Sequence, residues 1–229
     1  MLDFNQKERD NWVAVQAAAI QRGNKVLDVG AGTGRYRHLF EHCLYRAHDF
    51  GIEPSTMGKY TQLDYVSDIV EIPVPNAVFD VVLCSEVLEH VPDPISAVRE
   101  MARILKRGGK LLLTSPLGAF LHQEPYHFYG GYTPHWYRKF LPEAGFQIES
   151  IEPNRGFFSW FGQEARRFNS LISPWNTFHQ GWRWPLLTSI WLVTLPACRW
   201  LFPRLSCWLD ELGQEHVATV GYHVLATKR

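Results

Sequence analysis

Three glycines, Gly30, Gly32 and Gly34, punctuate the stretch Val26-Leu-Asp-Val-Gly-Ala-Gly-Thr-Gly-Arg35, just after an apolar run that holds a carboxylate, Asp28. A strand that runs into glycines presents backbone N–H groups and lets a ligand approach the main chain, an arrangement used for nucleotide-like molecules. The spacing is G-x-G-x-G, distinct from the G-x-G-x-x-G of dinucleotide sites, and the Lys-Ser/Thr of a P-loop is missing. Further along stand two more carboxylates. Asp49 lies about twenty residues past Asp28, where an acid at a strand tip accepts hydrogen bonds from ribose hydroxyls. Asp68 closes the short run Ser67-Asp-Ile69. Proton-transfer chemistry has its own candidates in His90 and in Leu121-His-Gln-Glu-Pro-Tyr-His-Phe-Tyr-Gly-Gly-Tyr132, which carries His122 and His127. A neutral imidazole titrates near working pH and serves as a general base, with His127 the leading candidate and His122 second. The structural alternative for each histidine is a ring bonded to backbone that packs its loop. No metal is expected, because His122 and His127 lack Cys or further clustered ligands at zinc spacing.

These groups need elements to position them. An opening helix is expected over residues 7–22, closed by Gly23, followed by a strand at Lys25–Val29. After the glycines, Tyr36, Leu39, Phe40 and Cys43 recur at helical spacing, so a helix is expected there, then a second strand ending near Asp49. Tyr65–Ile69 reads as a strand. Phe79–Cys84 is a near-continuous apolar run of the kind buried on both faces of a parallel sheet. Asp93-Pro94 starts a helix, with Asp as N-cap and Pro at the first helical position, and Gly108-Gly109 is expected to end it. Lys110–Thr114 is a strand, Thr133-Pro134 opens another helix, and Phe146–Ile151 is a further strand. This alternation predicts an α/β fold with a doubly wound sheet.

Composition narrows the partners. The 229 residues carry 23 basic and 23 acidic side chains, for zero formal charge, and there is no Lys/Arg block. The electrostatic footprint of a nucleic-acid binder is therefore missing. Cys43, Cys84, Cys198 and Cys207 form no metal or redox spacing. The polar first residues differ from a signal peptide, so a cytoplasmic location is expected. One domain over residues 1–229 is the default for this length.

At this point the chain resembles the class I S-adenosylmethionine-dependent methyltransferases. Val26–Gly34 is similar to their first motif, Leu-Asp-Val-Gly-x-Gly-x-Gly. Ile72 to His90 resembles their region "Leu-Pro-Phe … Phe-Asp-Val-Val … Leu-Glu-His", and Leu105–Leu111 resembles "Leu-Lys-Pro-Gly-Gly". The resemblance implies a seven-stranded, mostly parallel sheet whose last strand, near residues 219–227, is antiparallel. It also implies S-adenosyl-L-methionine as cofactor. Carried over by position, Gly30, Ala31 and Gly32 would line its methionine part, with Gly34 also in the cofactor-binding set, Asp49 would hold the ribose, and Asp68 with Ile69 would flank the adenine. Asp28 would orient the turn or reach the amino group through water, and Ser85 would join the cofactor-binding set. Glu53, in Phe50-Gly-Ile-Glu-Pro-Ser55, matches the family's second-strand ending and rivals Asp49, which is favoured by its distance from the turn.

Residues 155–212 break the rhythm. They hold most of the tryptophans, and Trp184–Cys198 runs fifteen residues without a charge. Pro185, Pro196 and Arg199 are expected to interrupt any spanning helix. Two readings stay open for this Trp-rich helical insertion: a hydrophobic cap over the acceptor pocket, or an interfacial element touching a membrane through residues 182–202. Either suits a small or lipid-like acceptor, methylated on oxygen in the favoured reading. A non-catalytic cofactor-binding interaction module, or methylation of carbon or nitrogen, is the alternative, while a nicotinamide oxidoreductase is disfavoured by the glycine spacing. No nucleic acid is expected as partner.

Overall fold

β1 (Lys25–Val29) and β4 (Phe79–Ser85) form the centre of the sheet because their side chains are apolar on both faces. In β4 the alternation is explicit. Val82 and Cys84 point into one core layer with Leu27, Val29, Leu111 and Leu113, while Val81 and Leu83 point into the other with Val26 and Leu112. The computed structural model describes residues 4–51, 60–213 and 218–229.

The described residues give α1 (Phe4–Ala19), β1, β2 (Leu44–Asp49), β3 (Tyr65–Val66) and β4. Then come α2 (Pro94–Ile104), β5 (Leu105–Pro116), α3 (Pro134–Glu143) and β6 (Phe146–Pro153). The chain continues through α4 (Phe157–Leu171), α5 (Pro174–Thr177), α6 (Trp184–Pro196) and α7 (Phe202–Leu209) before β7 (Gly221–Lys228). The seven strands lie in the order β3-β2-β1-β4-β5-β7-β6. β7 runs antiparallel to both its neighbours and the other pairings are parallel. Strand order reverses between β1 and β4, so the crevice beyond their C-terminal ends is where an open α/β sheet takes a ligand. The chain divides into two compact units, one of residues 6–154 with 221–229 and the other of residues 155–220 with Phe4 and Asn5.

Capping behaves as the residue types dictate. Asp93 accepts the Ser96 amide at 3.0 Å with Pro94 in the first turn of α2, and Thr133 accepts the Trp136 amide at 3.4 Å at the start of α3. Several expectations are corrected. No full helix follows the glycines: the segment closes as a single 3-10 turn, Arg37–Phe40, which is enough to bury Phe40. α1 begins at Phe4 and ends at Ala19. β3 is only two residues long, and β7 starts at Gly221. α2 ends at Ile104, ahead of Gly108-Gly109. Those glycines instead form an irregularity inside β5, where a Cβ on Gly109 would fall 2.9 Å from the Lys106 carbonyl and 3.0 Å from that of Asp80. Pro196 does not stop its helix either. A π turn over Ala197–Leu201 absorbs the missing amide and passes the chain on to α7.

Asp28 lies inside this core, 3% exposed, and its Oδ2 accepts the Tyr45 hydroxyl at 2.6 Å. Burial, with the Asp49 charge adding to it, pushes the Asp28 carboxyl from its ordinary 3.8 up to about 7. A carboxyl whose folded pKa is raised contributes stability that is fully present below its unfolded value and lost as pH rises through the folded one. Relative to Asp28→Asn, the wild type should therefore lose up to about 4 kcal/mol of stability between roughly pH 4 and 8, at 1.36 kcal/mol per pKa unit. Denaturant midpoints across that range measure it. Parallel pH profiles for the two proteins would contradict this burial argument.

Candidate active site

The glycine turn is held from β2. The His48 carbonyl accepts both the Gly30 and the Ala31 amide at 2.9 Å. The Asp49 carboxylate, one residue on, accepts the Gly32 amide at 2.9 Å through Oδ2 and the Gly51 amide at 3.1 Å through Oδ1. The three glycines serve different needs. A Cβ on Gly30 would sit 2.3 Å from Val87, and one on Gly34 would sit 2.8 Å from Thr61, so at both positions side chains are excluded by the protein itself. At Gly32 φ is +50°, and among the described residues, its two chain neighbours aside, no atom lies within 4 Å of a Cβ. Of the three, Gly32 is the one whose missing side chain leaves open space rather than room for a protein neighbour.

That crevice is a cavity of about 290 Å³ bordered by Gly30, Gly32, Asp49, Asp68, Ile69 and His90. Six residues chosen from the sequence are thus gathered on one wall system. Asp68 also accepts the Val70 amide at 3.1 Å, which fixes the bend after β3. Asp28, Ala31, Gly34 and Ser85 lie outside the lining. Asp28 is tied to Tyr45, Gly34 donates to the Ala31 carbonyl at 2.8 Å, and Ser85 shares a 2.9 Å hydrogen bond with Thr114. Glu53 falls outside the described residues.

The cavity has further walls. Phe50, Val87, Tyr126 and Phe128 supply apolar surface, and Glu86 adds a third carboxylate to Asp49 and Asp68. Glu86 sits at φ +56°, a strained backbone for a side-chain-bearing residue. It is held by Arg9 at 2.9 Å and by the Thr114 hydroxyl at 3.0 Å. A non-glycine residue forced into this conformation beside a ligand crevice is the sort of outlier that functional sites retain. Only the three-dimensional placement of Arg9 reveals it.

His90 Nδ1 meets the Tyr126 carbonyl at 2.6 Å, and since a carbonyl only accepts, Nδ1 carries a hydrogen; in the neutral ring Nε2, 3.8 Å from Glu89 Oε1, then holds the lone pair. His122 and His127 pack against this ring, with centroids 4.8 and 5.7 Å from His90 and 4.4 Å from each other. Neither His122 nor His127 borders the cavity itself. His127 is driven toward its neutral form by burial and by His122, and its Nε2 is buried without a hydrogen-bond partner. Glu89, beneath His90, is buried, and burial followed by the Glu86 charge raises its carboxyl well above the usual range. One donor atom each from Glu89, His90 and His122 lies within 4.8 Å of the others. The chain spacing of His122 and His127 gave no hint of these additional donors, because they come from the turn after β4.

Sheet order, the switch-point crevice and a glycine turn gripped by an acid at the tip of β2 define a class I methyltransferase-type Rossmann fold. Residues 3–165 match the family model described as a methyltransferase domain, and the chain belongs to that family. Among curated relatives, a ubiquinone biosynthesis O-methyltransferase of Citrobacter koseri is 39% identical over 103 residues, 41% of this chain and 43% of the relative. One of Escherichia coli O157:H7 is 37% identical over 117 residues, 47% and 48% of the two chains. The chain thus matches about half the length of these relatives. Among solved structures, Haemonchus contortus phosphoethanolamine N-methyltransferase 2, crystallised with phosphomonomethylethanolamine and S-adenosylhomocysteine, is 17% identical with a TM-score of 0.53. The likeness covers 96% of this chain and 52% of that one. The cyclase SpnF is 19% identical with a TM-score of 0.55, over 96% and 80%. These two likenesses concern the fold alone.

Gly32 carries a prediction of its own. Gly32→Ala should cost about 1 kcal/mol of stability for the left-handed backbone and, since the methyl enters the crevice, at least roughly tenfold in S-adenosylmethionine affinity. Gly30→Ala should destabilise more, through Val87. Melting curves paired with calorimetry separate the two effects. Unchanged affinity in Gly32→Ala would make the turn purely structural.

Proposed function

We propose that this chain is an S-adenosylmethionine-dependent O-methyltransferase acting on a small, lipid-like acceptor that carries a hydroxyl group. The observation that carries the reading is the cavity in which Gly32, Asp49, Asp68 and Ile69 meet His90, Tyr126 and Phe128. The residues fit the cofactor. Gly32 leaves room beside the main chain, Asp49 stands where ribose hydroxyls are held in such folds, and Ile69 offers apolar contact. The three carboxylates around the cavity favour a cation and disfavour the pyrophosphate of a nicotinamide dinucleotide. Bound there, S-adenosylmethionine supplies a methyl group already activated by its sulfonium.

The protein's part is orientation, desolvation and proton removal. The apolar side chains Val87, Tyr126 and Phe128 exclude water around an acceptor. His90, its Nδ1–H fixed by the Tyr126 carbonyl, presents the Nε2 lone pair to take the hydroxyl proton as the oxygen–methyl bond forms. His127 and His122 support that ring, so His90 moves ahead of both as the proposed base. We read the cluster as proton-handling, because burial works against the charged carboxylate that Glu89 would have to offer a cation. Oxygen as acceptor and a lipid-like substrate draw further support from the curated relatives named for ubiquinone biosynthesis.

The second unit suggests where such an acceptor is met. Among the described residues, one helical stretch, Pro174–Leu212, is long and apolar enough to cross a membrane, and little of its most apolar part is buried. The charge-free stretch Trp184–Cys198 is about 22 Å long at 1.5 Å per residue, short of the roughly 30 Å hydrocarbon core. Flanked by Arg183 and Arg199, it fits an element lying at the membrane face, making the protein cytoplasmic with peripheral membrane contact. The test of the proposed activity is methyl transfer from labelled cofactor to a hydroxylated, lipid-soluble acceptor. Label found on nitrogen or carbon products alone would reject O-methylation.

A further inference from the structure

A second cavity, of about 860 Å³, lies within the unit of residues 155–220 with Phe4 and Asn5. Its wall holds three guanidinium groups, Arg166 and Arg167 from α4 and Arg199 from the π turn, and no carboxylate among the described residues. Glu164 approaches Arg167 at 3.3 Å. Gln163, Asn169 and Ser170 add polar atoms, and Trp175, Trp191 and Trp200 add rings.

Trp191 is also part of α6, the uncharged helix whose flanks leave large apolar side chains in the open: Trp175 is 73% exposed, and Trp182 and Val193 are 80% exposed. None of the residues of α6 is buried. One helix therefore borders an arginine-lined cavity and presents exposed apolar side chains. A soluble anion would use the first feature only. A molecule with an anionic head and acyl chains uses both.

We propose that this cavity is a binding site for the phosphodiester headgroup of an anionic phospholipid in a bilayer. Arg166, Arg167 and Arg199 take the phosphate oxygens by charge-assisted hydrogen bonds, while the tryptophans sit at headgroup depth and α6 rests among the upper acyl chains. The inference rests on the membrane reading given above and adds to it a chemical preference and a place. The site would hold the second unit to anionic membrane regions and so set where the acceptor is drawn from.

Vesicle co-sedimentation of the full chain tests this, with phosphatidylcholine vesicles against vesicles of phosphatidylcholine mixed with phosphatidylglycerol. Partitioning should be stronger on the mixed vesicles. The triple variant Arg166→Gln, Arg167→Gln, Arg199→Gln should lose roughly tenfold or more of that binding while keeping the weaker partitioning onto neutral vesicles. Arg199→Gln alone should lose part of it, and circular dichroism melting confirms that the variants fold. Trp182→Ser with Val193→Ser should weaken binding to both vesicle types. Equal binding of the wild type to neutral and mixed vesicles would overturn the headgroup site and leave the membrane reading standing. Binding to neither would overturn both. If inorganic phosphate displaces the protein from mixed vesicles at concentrations too low to screen charge, the site serves a soluble anion and the lipid assignment fails.

Discussion

Asp49→Ala is expected to lower S-adenosylmethionine affinity by about 2 kcal/mol or more, roughly thirtyfold, the size of a lost charge-assisted hydrogen-bonding partner. The carboxylate has two duties. Its oxygens already accept the amides of Gly32 and Gly51, so removing it also loosens the turn that shapes the crevice. Asp49→Asn separates these duties, because an amide oxygen can still accept from Gly32 but brings no charge. Its affinity should fall between those of wild type and Asp49→Ala, with a melting temperature near wild type. Glu53→Ala should cost little. Calorimetry showing a large loss for Glu53→Ala and none for Asp49→Ala would transfer the ribose role to Glu53.

His90→Ala is expected to lower kcat at saturating cofactor by roughly a hundredfold or more, the range for loss of a general base, while leaving cofactor affinity close to wild type. His127→Ala should lower it less, since that ring supports His90 and does not border the cavity, and His122→Ala least. Single-turnover rates with a hydroxyl acceptor check the order. If His90→Ala turns over normally and His127→Ala does not, the base is His127, as the sequence alone favoured.

Much of this was legible in local chemistry. Glycines after an apolar run marked the end of β1, the continuous apolar run marked β4 as buried on both faces, and Asp93-Pro94 and Thr133-Pro134 marked helix starts, because each is decided by neighbouring residues. What escaped depends on contacts between distant parts of the chain. Helical spacing at Tyr36–Cys43 reads as a helix, yet the fold needs only one turn there to bury Phe40. Gly108-Gly109 looks like a helix stop and serves instead as an irregularity in β5, where the Asp80 carbonyl of β4 leaves no room for a side chain. The wedge of Val87 against Gly30, and the grip of Arg9 on Glu86, join residues more than fifty positions apart. Pro196 carries the same lesson in reverse: proline breaks helices by rule, but a π turn makes room for this one.

The histidines show how far spacing reaches. In sequence, His122 and His127 share a loop and His90 stands apart with an acid at its side. In the fold, the cis-linked loop 121–132 returns along the turn after β4, with the Phe128 and Tyr129 amides both donating to the Glu89 carbonyl at 2.9 and 3.1 Å. That pairing brings three imidazoles together and sets only one of them at the cavity.

The central claim is transfer of a methyl group to oxygen at this cavity. The most direct measurement is incubation of the full chain with S-adenosylmethionine labelled in its methyl group and a hydroxylated, lipid-soluble acceptor fraction, followed by identification of the labelled product. Label is expected in an aryl or alkyl methyl ether, with S-adenosylhomocysteine formed in equal amount and both formed much more slowly by His90→Ala and, at subsaturating cofactor, by Asp49→Ala. Tight cofactor binding with no labelled ether, or label carried only on nitrogen or carbon, would contradict it.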